Sequence, residues 1–100
     1  AQVLFDADKL DVLGAIGAAR TIAYAALDGQ PSYAEPSAQF LRTGEKESGE
    51  PHSSYHEFLF KLRKVKDRLF TRSGKALAEA RHDYLVEFYT QLQAEVRGER

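Results

Sequence analysis

One hundred residues, 43% of them apolar, suit a single small domain that buries a limited share of its surface, so its core is expected to need a partner. The absence of Cys excludes a disulfide framework, a thiolate metal site and a thiol nucleophile, and any metal must use His and carboxylate ligands. A formal net charge of −1 argues against a generally basic nucleic-acid binder, but residues 1–55 carry −4 and residues 56–100 carry +3, so an acidic metal end can face a basic phosphate end.

The chain opens at Ala1 directly into helical pattern, with no Met and no capping signal before Val3, so a fragment is expected. From Val3 to Leu27 helix formers predominate, and Leu10, Gly14, Gly17, Ala18, Thr21 and Ala25 recur at spacings of three and four, which predicts one helix with a small-residue stripe. Each glycine costs about 1 kcal/mol of helix propensity, so close packing against another helix is the expected reason for them. Val12 to Leu27 includes Arg20 and lacks a basic leader, which indicates neither a membrane span nor a signal peptide, and the absence of Cys is compatible with a reducing cytoplasm, the expected location.

Gly29 and Pro31 end that helix. Residues 29–53 hold all three Pro, together with Gly44, Gly49 and the run Glu45-Lys46-Glu47-Ser48, and are expected to form a long exposed connection, partly disordered and lying away from the core, with 34–53 as its main loop. A second helix is predicted over Ser54–Phe70 from the stripe Tyr55, Phe58, Leu59, Leu62, Val65 and Leu69. Thr71 or Ser73 caps a third, with the stripe Leu77, Ala80, Tyr84, Leu85, Phe88, Leu92 and Val96. The class is all-α in one domain, with about three main helices and a long loop between the first and second.

Asp6, Asp8 and Asp11 fall within two turns, with Asp8 and Asp11 placed on one face; by spacing alone a helix N-terminus or a solvated acidic face explains them better than a metal site does. His82-Asp83 sits on the last helix, where adjacent side chains point about 100° apart, so it reads as structural or surface. His52 and His56 are four apart with no Glu between them in the protease arrangement, and read as surface histidines near a helix start. Between Lys61 and Lys75 seven basic residues face one acid, Asp67. That run reads first as a solvated face, then as a phosphate-binding wall or a nucleic-acid patch. Lys61 and Lys66 of that run, together with Arg20 of the first helix, are of most interest; Arg20 interrupts a small and apolar helix, and a buried Arg needs an anionic partner, whether a substrate phosphate or an internal carboxylate. Gly14-Ala15-Ile16-Gly17 follows no strand and reads as helix packing, not as a nucleotide loop.

The string Phe5-Asp6-Ala7-Asp8-Lys9-Leu10-Asp11, continued through Gly14-Ala15-Ile16-Gly17 to Arg20-Thr21, closely resembles the stretch around the terminal Asp in a bacterial subgroup of HD-superfamily metal-dependent phosphohydrolases. The likeness continues through Gly29 to Tyr33, from Phe58 to Leu69 and from Thr71 to His82, and covers nearly all of the chain outside residues 35–51. It implies the C-terminal helices of an HD-type bundle. In that family a His, a His-Asp pair and a later Asp hold a divalent metal, here Mn, Fe, Co or Mg. The resemblance carries only the later Asp over, to Asp8, with Asp6 and Asp11 as supporting or capping groups and Arg20, Lys61 and Lys66 toward a substrate phosphate.

No His precedes Asp8, so the N-terminal half of the same protein, or another chain, must supply the other ligands, and this polypeptide alone is expected to be inactive. The implied activity is hydrolysis of a phosphate ester or anhydride in a nucleotide-like small molecule. The rival is a non-catalytic helical module for oligomerisation or protein binding. A nucleic-acid binder ranks third.

Overall fold

The computed structural model describes residues 2–100. In chain order it contains α1 (Gln2–Leu10), α2 (Gly14–Leu27), α3 (Ala38–Thr43), α4 (Ser54–Phe60), a 3-10 stretch (Leu62–Arg68) and α5 (Arg72–Val96), with no strand among the described residues, so the expected all-α class holds. Helix α5 is the spine. Thr71 caps it by accepting a hydrogen bond from Gly74 N at 3.0 Å, and α1, α2 and the 3-10 stretch all lie against it. The core gathers Leu13, Leu85 and Tyr89, each fully buried, with Phe58, Leu62, Val65, Leu69 and Ala78 around them. Each large apolar side chain buried there stabilises the fold by about 1.5–3 kcal/mol.

The single helix expected over Val3–Leu27 is broken in two. Helix α1 stops at Leu10, a turn follows, and α2 leaves at 69° to the first axis. Gly14 makes this geometry cheap, since it opens α2 at φ +67°, where other residues are strained. Gly17 has a different reason: a Cβ there would lie 2.2 Å from the Val12 carbonyl oxygen. At Gly17, therefore, the small-residue stripe admits the chain's own preceding turn instead of a separate helix.

The second expected helix, Ser54–Phe70, is α-helical only to Phe60 and then tightens into the 3-10 stretch. Leu62 and Val65, three residues apart, match the 3-10 repeat and are both buried. Residues 29–53 are more structured than expected. They include α3, capped by Ser37, whose hydroxyl accepts from Phe40 N at 3.0 Å, and they bury Phe40 against His56 with ring centroids 4.7 Å apart. On α5 the buried face is Gly74, Ala78, Leu85, Tyr89 and Ala94, whereas Leu77, Ala80, Tyr84 and Val96 of the expected stripe are exposed. Small residues face inward near the start of α5 because other parts of the chain approach closely there: a Cβ on Gly74 would lie 2.6 Å from the Asp6 carboxylate. Among the described residues no single helix is long and apolar enough to cross a membrane.

Candidate functional site

The three aspartates part company at the end of α1. Asp6 and Asp8 are two residues apart, about 200° around a helix, and so point in opposite directions. Asp6 is buried and accepts three hydrogen bonds, from Phe70 N at 2.9 Å, Thr71 N at 2.7 Å and Thr71 Oγ1 at 2.6 Å. Burial pushes its carboxyl pKa up, but the bonds from Thr71 and Phe70 outweigh that and hold it below the ordinary value of 3.8. Asp6 thus ties α1 to the start of α5, with its buried carboxylate committed to three hydrogen bonds. Asp8 is exposed, and Asp11 lies in the turn beyond the helix, so the two do not share a helical face.

Arg20 is exposed, not buried, so burial imposes no internal ion pair on it. Its Nη1 donates to the Asp11 carbonyl at 3.4 Å and its guanidinium lies 6.0 Å from the Tyr24 ring. Contact with Tyr24, then the charges of Asp11 and Asp8, push its pKa up. Asp8, Asp11 and Arg20 therefore form one polar corner at the α1–α2 turn. The other two basic candidates have acidic partners of their own. Lys61 pairs with Glu57 at 3.8 Å, and Lys66 pairs with Glu79 at 3.1 Å over α5.

Beside that corner a cavity of about 260 Å³ lies between α2 and the start of α4. Val12, Ala25 and Leu62 give it apolar walls, Arg20 and Tyr24 stand on one side, and His52 and Glu57 on the other. His52 Nε2 is 2.9 Å from Glu57 Oε2, while its Nδ1 is buried with no hydrogen-bond partner among the described residues. His82 is half-buried on α5, and its Nδ1 likewise has none.

The expectation of two surface histidines fails at His56, which is fully buried. Its Nδ1 is 2.7 Å from Ser53 Oγ and its Nε2 is 2.7 Å from Glu50 Oε2. Ser53 Oγ also accepts from His56 N at 3.2 Å, so donating its own proton to Nδ1 and leaving Nε2–H for Glu50 satisfies every group. The order Ser, His, Glu imitates a hydrolytic triad, but Ser53 is wholly buried and serves as the cap of α4. It is a latch. No spacing signal in the sequence announces it, because Glu50 reaches back from a loop rich in Gly and Pro.

Among the described residues no three His, Cys, Asp or Glu side chains converge to hold a metal ion. Asp8 is suited to be one carboxylate ligand, and the residues present do not complete a site around it.

No family model matches the chain. It is 33% identical over 93 residues to the uncharacterized protein YpgQ of Bacillus subtilis. Among solved structures it is similar to an HD-superfamily hydrolase from Bacillus thuringiensis, with 36% identity over 96% of this chain and 45% of the other, at a TM-score of 0.75. The crystal structure of Bacillus subtilis YpgQ matches with 29% identity over 99% of this chain and 45% of the other, at 0.77. YpgQ has also been solved in complex with ADP, and that structure matches with 30% identity over 94% of this chain and 42% of the other, at 0.74. In sequence and fold alike, the chain matches a C-terminal, HD-type portion of HD-superfamily hydrolases. It spans 38% of the curated relative and under half of these solved chains.

Proposed function

We propose that the protein is a metal-dependent phosphohydrolase acting on a phosphate ester or anhydride of a nucleotide-like metabolite, with Asp8 as one metal ligand. The observation that carries this reading is an exposed Asp8 beside Asp11 and Arg20, on the stretch resembling the HD-family terminal Asp, in a fold shared with an HD-superfamily hydrolase. The remaining ligands come from outside these 100 residues. Arg20 holds the substrate phosphate, since an exposed guanidinium next to two carboxylates keeps its donors for an anion once a cation neutralises the acids. Lys61 and Lys66 have weaker claims, because each has an acidic partner already. Asp6 acts as a positioning residue, fixing the direction in which Asp8 points. That YpgQ was crystallised with ADP supports the nucleotide class of substrate, and a chain without cysteine suits the cytoplasm.

In the full-length protein, Asp8→Ala should lower phosphate release from a nucleotide panel in Mn or Mg by at least about 100-fold, and metal analysis should show less bound metal. Unchanged turnover and unchanged metal content would overturn the role given to Asp8.

A second reading, a helical interaction module, draws on the apolar outer face of α2, where Ile16, Tyr24 and Leu27 are exposed. It requires a stable complex on that face in a protein that binds no metal and turns over no phosphate ester.

A further inference from the structure

The basic run between Lys61 and Lys75 divides in the structure. Lys61 and Lys66 are paired with Glu57 and Glu79, whereas Arg63 and Lys64 form no ion pair among the described residues. The 3-10 stretch sets their direction. With three residues per turn, Leu62 and Val65 repeat on one buried face, and Arg63 and Lys64 fall on the two faces between them and are exposed. Both line a cavity of about 250 Å³ between the end of α3 and the end of α4, where Arg42 adds a third cation that also forms no ion pair. No acidic side chain is in the lining. The apolar part is fitted closely. The Phe60 ring lies 6.5 Å from that of Phe40, centroid to centroid, and a Cβ on Gly44 would come within 3.3 Å of it. Lys64 Nζ stands 6.0 Å from the same ring.

Three like charges gathered at one cavity repel one another, and a bound anion removes that repulsion. Charge and size narrow the anion. A carboxylate brings one charge and two oxygens, too few for two guanidinium forks and an ammonium together. A phosphate group carries about −1.5 to −2 charges and three acceptor oxygens. At about 30 Å³ for each water-sized group the cavity has room for about eight of them, enough for one or two linked phosphates but not for a base and a sugar as well. A nucleic-acid backbone would instead call for cations spread along a groove, and here the neighbouring Lys61 and Lys66 are already neutralised. None of the residues lining this cavity lines the one beside Asp8 and Arg20.

We propose that Arg42, Arg63 and Lys64 form an anion site separate from the Asp8 corner, which binds one or two linked phosphate groups of a small soluble compound against the edge of Phe60. The site is independent of the phosphohydrolase reading, since neither Asp8 nor Arg20 takes part in it.

The probe is imidodiphosphate, two linked phosphates that resist hydrolysis, titrated by calorimetry into the full-length protein in the presence of a chelator, so that no metal draws it to Asp8. It should bind, and Arg42→Ala, Arg63→Ala and Lys64→Ala should each weaken it about tenfold, while Lys61→Ala, Lys66→Ala and Arg20→Ala leave it within about twofold. All three cavity cations are exposed, so their truncation should leave the thermal midpoint unchanged and the loss can be read as binding. The site is overturned if imidodiphosphate does not bind, or if Arg20→Ala removes its binding and the cavity variants do not. Equal weakening by all six substitutions would also sink it, because a diffuse basic surface, not a cavity, would then be holding the anion. Vesicles of phosphatidylcholine with and without phosphatidic acid separate the remaining source of phosphate: capture by the phosphatidic acid vesicles with no binding of the soluble probe would assign the cations to a lipid headgroup and refute the site as stated.

Discussion

Two parts of the molecule are organised around a buried carboxylate, and they differ in what each carboxylate spans. Asp6 on α1 accepts from Phe70 and Thr71, 64 and 65 residues away, and so joins the first helix to the start of the last. Glu50 accepts from Ser37 N at 3.0 Å, Glu47 N at 2.9 Å and His56 Nε2, and the farthest of these is 13 residues away. The first is a tertiary clamp and the second a local latch on residues 29–53, the strap that carries α3. Nearly the same bond count therefore predicts different consequences, because what is lost is set by the structure that the bonds hold together, not by their number.

The comparison is broken most severely at Asp6. Replacing it with Ala leaves two backbone N–H groups and the Thr71 hydroxyl without their buried acceptor and loosens the N-cap region of α5. The thermal midpoint of the chain should fall by roughly 15–20 °C, in a transition that circular dichroism and tyrosine fluorescence report together. A change confined to the first ten residues, with α5 protected as before, would mean that Asp6 is no clamp.

At Glu50 the expected loss is smaller and confined. Glu50→Gln should lower the midpoint roughly half as far and speed amide exchange about tenfold in α3 and the strap, with little change in α5. The pH dependence follows the same geometry. Burial pushes the Glu50 carboxyl up, but bonds from Ser37, His56 and Glu47 outweigh it and bring its pKa from 4.5 down to about 2. A depressed folded pKa stabilises the fold fully above the unfolded value, and that contribution is lost as pH falls through the folded value. Wild-type stability should therefore decline from about pH 4.5 toward 2, and the decline should be shallower in Glu50→Gln, as followed by urea titration at each pH. An identical acid limb in both proteins would mean that the latch is not linked to folding.

How much of this was legible in the sequence varies with the range of the interaction. The extent of α5 could be read from Thr71 and an apolar periodicity reaching Val96, because caps and helical repeats are local signals. Its buried face could not, since Gly74 and Ala78 face inward only where other parts of the chain come close. The break at Asp11–Leu13 was hidden because the propensities run on smoothly; its marker is Gly14, and only the left-handed φ tells it from a packing glycine. At the candidate site, the choice of Asp8 over Asp6 and Asp11 rested on family resemblance. The structure supplies a reason for setting Asp6 aside, which is that its carboxylate is buried and held by three hydrogen bonds from Thr71 and Phe70. The cavity between α2 and α4 left no trace in spacing because its lining comes from segments far apart in sequence; the His56 latch is local, but it joins a loop residue to a helix cap, and no helical or strand period links Glu50, Ser53 and His56.

The smallest perturbation probes the seam between the two regions. Tyr89, fully buried on α5, donates to Ser54 Oγ at 3.1 Å, and Ser54 Oγ donates in turn to the Ser32 carbonyl at 2.7 Å. This relay couples the spine to the first turn of α4 and through it to the start of the strap. Tyr89→Phe keeps the ring stacked on Phe58, at 4.7 Å between centroids, and removes only the hydroxyl. Ser54 keeps its bond to Ser32, so one donor is lost and no buried hydrogen is stranded. The cost should be about 1 kcal/mol, and in a double-mutant cycle with Ser54→Ala most of it should vanish. Additive losses from the two substitutions would mean that the spine and the strap are stabilised independently, and the clamp and the latch would then be separate devices.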